Sequence, residues 1–141
     1  MSKDYSNNII KDYIFWTVSV CENQGYLGRC VLWCKRDEAK DLCDATKEEI
    51  DELMSIIKDL KAALTISFQP DWFNYSFLGN ETRHLHGHLV PRYEQPREYL
   101  GIKFEDKYYG HNFRIDNDFV TSTELLRSVK IKLIEALTVP N

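Results

Sequence analysis

The chain is expected to fold as an α+β domain, on three observations: period-two apolar alternation early in the sequence, a capped amphipathic helix in the middle, and another at the end. Strands fall in pairs before and after the central helix instead of alternating with helices one for one, the ordering of a sheet with its helices segregated. With 43% hydrophobic and 28% charged residues over 141 positions, composition is that of an ordinary globular chain, which excludes collagen-like, disordered and disulfide-scaffold classes. One domain over 1–141 is expected, with a core at 13–93 and a C-terminal tail and helix at 94–141.

Residues 14–21 set Ile14, Trp16, Val18 and Val20 against smaller or more polar neighbours, the alternation of a half-buried strand. Glu22-Asn23-Gln24-Gly25 reads as a turn, and a second strand over about Gly28 to Lys35 completes an antiparallel hairpin with a longer loop. Thr46-Lys47-Glu48-Glu49 is a capping box, in which hydroxyl and carboxylate satisfy orphan backbone donors at a helix start. Ile50, Leu53, Ile57, Leu60 and Leu64 then recur at helical spacing to about Ser67, so one face packs on a sheet. Pro70-Asp71 ends the helix, Trp72–Leu78 returns to strand character, and Gly79-Asn80 turns the chain into a strand from Arg83 to about Val90. Residues 92–120, interrupted by Pro96, Gly101 and Gly110, are expected to be mostly irregular, with room for one short strand. Thr121-Ser122-Thr123-Glu124 offers a second capping box, followed by an amphipathic helix through Leu125, Leu126, Val129, Leu133 and Leu137.

Several function classes drop out early. The net charge of −4 disfavours a nucleic-acid partner, which needs a basic face to displace counterions. No apolar run approaches the roughly 20 residues needed to cross a bilayer, so no membrane partner is expected. Met1 to Tyr5 lack the layout of a signal peptide, which makes a cytoplasmic protein the expectation. Cys21, Cys30, Cys34 and Cys43 contain no CxxC pair, so reduced thiols with structural roles are expected.

Three of the four histidines fall in His84-Leu85-His86-Gly87-His88. In a strand, the three imidazoles share one face while Leu85, Gly87 and Leu89 occupy the other, where Gly87 would let a helix approach closely. A His-x-His pair can chelate zinc. At ~3.3 Å per residue, however, the Cα atoms of His84 and His88 lie roughly 13 Å apart, so a third ligand would have to come from His111, Asp37 or Glu81. Three solvent-facing histidines without function are a second reading. Covalent catalysis is a third: a neutral imidazole can attack phosphorus and leave near pH 7, while its flanking histidines orient it and bind phosphate oxygens.

The stretch His84-Leu85-His86-Gly87-His88-Leu89-Val90-Pro91-Arg92 resembles the His-x-His-x-His-x-x signature of the histidine triad (HIT) superfamily of nucleotide hydrolases and transferases, with its common Pro-Arg extension. Gln24-Gly25-Tyr26-Leu27-Gly28-Arg29, Lys35-Arg36, the capped helix and Phe73–Asn80 are similar to small microbial members of a diadenosine-polyphosphate-hydrolase-like subgroup, as is Phe104-x-Asp106-x-x-x-Gly110. The resemblance implies a HIT-like fold with a roughly five-stranded antiparallel sheet, a central helix and a C-terminal helix. It also implies a possible homodimer, a nucleotide substrate with a purine base, and no metal or other cofactor. By motif position His86 would be the nucleophile, forming a nucleotidyl-histidine at the α-phosphate of a dinucleoside polyphosphate or nucleoside phosphoramidate. His84 and His88 would orient it, contact phosphate and assist the leaving group. Asn74 would lie near the nucleotide, and Asn80, Glu81 and Thr82 would form the phosphate-side loop.

The chain departs from the pattern at two places. Asp37 is expected where many relatives carry a fourth histidine, and Glu81 adds a carboxylate beside the phosphate. These motivate an alternative, a nucleotide-binding module with little catalysis. A metal-dependent hydrolase using the His-x-His pair is the other. Arg83 and Arg92 bracket the row and are read either as donors to outer phosphates or as surface residues. Trp16, Trp33 and Trp72 are expected in the core, and His111 in a solvated loop.

Overall fold

The computed structural model describes residues 5–139, so Met1 to Asp4, part of the stretch weighed above for a leader, lie outside it. Seven strands and two α-helices appear among those residues: β1 Ile9–Asp12, β2 Trp16–Val20, β3 Cys30–Cys34, α1 Lys47–Phe68, β4 Trp72–Ser76, β5 His86–Arg92, β6 Arg97–Tyr99, β7 Ile102–Phe104 and α2 Thr123–Leu137. The first five strands form one antiparallel sheet in the order β1-β2-β3-β5-β4, and β6 and β7 form a separate hairpin. This is the α+β architecture expected, with a five-stranded antiparallel sheet. No helix among the described residues is long and apolar enough to cross a membrane.

Alternation sorts the sheet into two faces. Trp16, Val18 and Val20 pair in register with Cys34, Leu32 and Cys30, and all six are buried. Leu85 and Leu89 continue that inner face. Against it pack Leu53, Ile56, Leu60 and Leu64 of α1 and Leu125, Val129 and Leu133 of α2, forming one core. Ile14 is not part of this row: it lies before β2 and is 77% exposed.

α1 begins as expected, with Thr46 Oγ1 accepting from the Glu49 amide at 3.1 Å and Glu49 Oε1 accepting from the Thr46 amide at 2.8 Å. Its buried stripe is turned slightly, onto Glu49, Leu53, Ile56, Leu60 and Leu64, with Ile50 and Ile57 half-buried at its edges. A carboxylate can occupy that stripe because Glu49 is met by Arg36 at 3.0 Å and by the Cys34 thiol at 3.2 Å. The Arg36 hydrogen bonds, opposed by burial and supported by the Thr46 amide, hold its pKa down at about 2.

Beyond strand ends that move by two or three residues in β4 and β5, three elements differ from the sequence expectation. β1 is too short to show a period, and it pairs with β2 through an irregularity between Ile9 and Lys11. Residues 97–104 form a hairpin whose turn places Leu100 and Gly101 at positive φ (52° and 73°), where glycine's lack of a Cβ lowers the cost. α2 is capped by Ser122, whose hydroxyl accepts from the Leu125 amide at 3.0 Å. The expected box is therefore absent: a single cap sits one residue later with Leu125 in place of an acid at the third position, and Thr121 instead accepts from the Gln24 amide at 3.0 Å.

Candidate active site

The row of histidines lies on the outer face of the sheet, away from the helices. β5 starts at His86, so His84 sits in the irregular lead-in and not inside the strand. The backbone there is still held. Leu85 donates its amide to Ala39 O at 2.9 Å and accepts from the Cys34 amide at 3.1 Å, which keeps the two-residue alternation through His84. The His86 and His88 rings meet edge to face at 5.3 Å. Beneath the row, a Cβ on Gly87 would come within 2.4 Å of the Phe77 ring. An aromatic side chain, not a helix, therefore uses the space that the glycine leaves.

Each imidazole has one nitrogen engaged, and the partner's chemistry assigns the hydrogen. His86 Nδ1 lies 2.6 Å from His84 O. A carbonyl only accepts, so Nδ1 carries the hydrogen, and neutral His86 keeps its lone pair on Nε2. His84 Nε2 lies 2.5 Å from Cys34 O and is a donor by the same logic. His88 is reversed. Its Nδ1 faces the Arg29 guanidinium at 3.3 Å and the Cys21 thiol at 4.0 Å. Arginine only donates, so Nδ1 accepts and Nε2 carries the hydrogen. Burial, then the charge of Arg29, then His86 hold His88 down at about 4.

Trp33, opposite His86 on β3, stacks on His84 with ring centres 4.2 Å apart and planes 16° from parallel, and it is 39% exposed. Of the three tryptophans expected in the core, only Trp16 is there. Trp33 and Trp72 point to the outer face, and Trp72 on edge strand β4 is 66% exposed.

Farther along the same face the polar groups are locked together. Arg92, 3% exposed, donates to Asp106 through Nε at 2.7 Å and Nη2 at 3.0 Å, and through Nη1 to Asn74 Oδ1 and His111 O, each at 2.7 Å. Neither reading of Arg92 fits its setting: it is buried, not a surface residue, and four of its five N–H donors go to protein acceptors instead of phosphate. Asn74 lies on the face of the row, but its carboxamide oxygen is taken, which leaves its amide hydrogens for any further contact. Asn80, Glu81, Thr82 and Arg83 are exposed in the loop leading to the row.

Asp37 is exposed, and its carbonyl accepts from Lys40 Nζ at 2.9 Å. Among the described residues, the charged side chain that touches the row is Arg29, which lies in a family-like stretch and carried no assigned role in the sequence reading. Among the described residues, no three His, Cys, Asp or Glu side chains are grouped so as to hold a metal ion. The third ligand that a metal reading needs from His111, Asp37 or Glu81 is thus not brought to the row. An open groove of about 700 Å³ lies between Tyr99 and α2, lined by Arg127, Lys132, Glu124 and Glu135. The row is the candidate site because the unspent ring nitrogens are there.

The HIT domain model matches residues 22–95. Curated protein sequences give no match. Among solved structures, a histidine triad protein from Bradyrhizobium japonicum has a TM-score of 0.70 at 20% identity, over 92% of this chain and 89% of that one. A hypothetical histidine triad nucleotide-binding protein from Sulfolobus tokodaii has a TM-score of 0.69 at 14% identity, over 92% and 83%. A HIT-like protein involved in cell-cycle regulation from Bartonella henselae has 0.67 at 20%, over 92% and 85%. At these identities the likeness is one of fold.

Proposed function

The chain belongs to the HIT domain family, and on that premise we propose that it is a nucleotide hydrolase or nucleotidyltransferase that works through a covalent intermediate on His86. The observation that carries the reading is the hydrogen bond from His86 Nδ1 to His84 O, which leaves a lone pair on Nε2 of an imidazole held in place by main chain. In this reading Nε2 bonds to the α-phosphorus as the bond to the leaving group breaks. Water then attacks, the phosphorus–nitrogen bond breaks, and a nucleoside monophosphate is released with His86 restored. Another acceptor in place of water gives transfer. The substrate is a dinucleoside polyphosphate or nucleoside phosphoramidate with a purine base, as in a diadenosine-polyphosphate-hydrolase-like subgroup. Asn80, Glu81 and Thr82 rim its phosphates, and Asn74 reaches it through its amide hydrogens. No metal takes part, and the protein works as a homodimer.

The name of the Sulfolobus protein, nucleotide-binding, supports the substrate class. The test is rapid-quench labelling with a dinucleoside polyphosphate radiolabelled at the α-phosphate. An acid-labile adduct on native protein that is absent from His86→Ala, together with a loss of turnover of about 10³-fold or more, is expected. Unchanged turnover by the variant, or tight nucleotide binding with no adduct, sinks the covalent reading; the latter result selects a binding module.

A further inference from the structure

We propose that Arg29 is a positioning residue that fixes His88 as a neutral imidazole with its hydrogen on Nε2, so that His88 gives a hydrogen bond to phosphate instead of a proton to the leaving group. The inference rests on the reading that His86 attacks the phosphorus of an anhydride, the dinucleoside polyphosphate of that reading, whose phosphate leaving group departs without taking up a proton, and it changes the part expected of His88.

The groups around His88 are few. Arg29, just ahead of β3, places Nη2 3.3 Å from Nδ1. Cys21, just after β2, places its sulfur 4.0 Å from the same nitrogen. Burial pushes that thiol up to about 11, so it is neutral and a donor at pH 7. On β4, Ser76 pairs across from His88; on β3, Val31 does. His86 stands edge-on along β5. Two donors and one positive charge thus converge on Nδ1, and none of these groups is a carboxylate that would favour a protonated ring. Among the described residues Arg29 has no carboxylate partner, and its Nε is buried without a hydrogen bond. A guanidinium kept for packing alone would be expected to have found an acid, as Arg36 and Arg92 do. Here its charge is spent on the ring.

The chemistry follows from the hydrogen count. A neutral imidazole parts with its remaining hydrogen only by becoming an imidazolate, which is out of reach near pH 7, so His88 is no acid. When an anhydride is cleaved, the phosphorus–oxygen bond breaks and its electron pair leaves on a phosphate oxygen. That anion needs a hydrogen-bond donor and no proton. His88 Nε2–H is suited to be one, and as a neutral donor it does not lower the nucleophilicity of His86 through a charge next to it.

Long-range proton–nitrogen correlation spectra of the substrate-free protein test this, with His88 assigned from a His88→Gln spectrum. Native His88 is expected as the Nε2–H form, with a pyridine-like Nδ1 and no titration above about pH 5. In Arg29→Met the tautomers should mix and the midpoint should rise by about half a unit or more; Arg29→Gln serves if the first variant does not fold. A native His88 with its hydrogen on Nδ1, or charged at pH 7, overturns the proposal. So does a folded variant whose His88 matches the native tautomer and midpoint. No substrate is involved, so these outcomes are independent of whether His86 is labelled.

Discussion

The two ends of β5 carry polar clusters on the same face of one sheet, and they are satisfied to different degrees. Around Arg92 the donors and acceptors are closed on one another: two bonds to Asp106, one to Asn74 and one to a main-chain carbonyl, under a tail that leaves the guanidinium 3% exposed. Around His86 each ring spends one nitrogen and keeps the other. Hydrogen-bonding capacity used up inside the protein stabilises the fold, while capacity left over is available to a ligand. The closed cluster latches the tail onto the sheet, and the open one is where chemistry can happen.

The sharpest way to break this contrast is to remove one member from each cluster and compare stabilities. Asp106→Ala leaves a buried guanidinium without its carboxylate and is expected to cost about 3–5 kcal/mol, with a fall in Tm of about 10 °C or more. His86→Ala should unfold within about 1 kcal/mol of native protein in urea, since it empties a half-buried position with one local bond. Equal losses in the two variants would mean that the row is structural after all.

A smaller effect separates the row by pH from a third polar group, the buried Glu49 at the start of α1. The fold depresses Glu49 to about 2 from an ordinary 4.5, so its stabilising contribution is complete above the ordinary value and is lost as pH falls toward 2. With a buried carboxylate, the loss is on the order of 2 kcal/mol. His88 loses stability earlier. Unfolded, it takes up a proton near 6.5, whereas folded it resists until about 4, so stability falls as pH drops across that interval. Urea titrations at pH 7, 5 and 3 should therefore decline in two stages, with His88→Gln removing the upper stage and Glu49→Gln the lower. A flat profile from pH 7 to pH 4 contradicts the burial of a neutral His88.

The smallest expected effect concerns the support beneath the row. Gly87→Ala drives a methyl into the Phe77 ring, at 2.4 Å before relaxation, and should cost about 1–3 kcal/mol. Adding Phe77→Leu should recover part of it. No recovery in the double variant would show that the pressure falls elsewhere than on Phe77.

The sequence was a good guide wherever one local period settles the answer. Trp16, Val18 and Val20 declare an inner face, Thr46 and Glu49 declare a helix start, and the alternation of His84, His86 and His88 declares a shared face. It was a poor guide wherever a partner far along the chain decides. Nothing near Arg29 shows that it meets a ring 59 positions away. Nothing near Arg92 shows that Asp106 will bury it, although both were in family-like stretches. Trp33 and Trp72 went astray because strand propensity says that a large aromatic suits a sheet without saying which side it takes. β1 is four residues long and leaves no period to read.

The orientation of His86 depends on an oxygen of the main chain. Side-chain partners can be lost by a single substitution, whereas every residue type at position 84 supplies the same carbonyl. The neighbours of the row can therefore change without turning His86, the proposed nucleophile, out of its orientation. On the proposed function, substitutions in the exposed loop at 80–83 or at the half-exposed ring of Trp33 would alter which molecules are accepted and spare the orientation of His86.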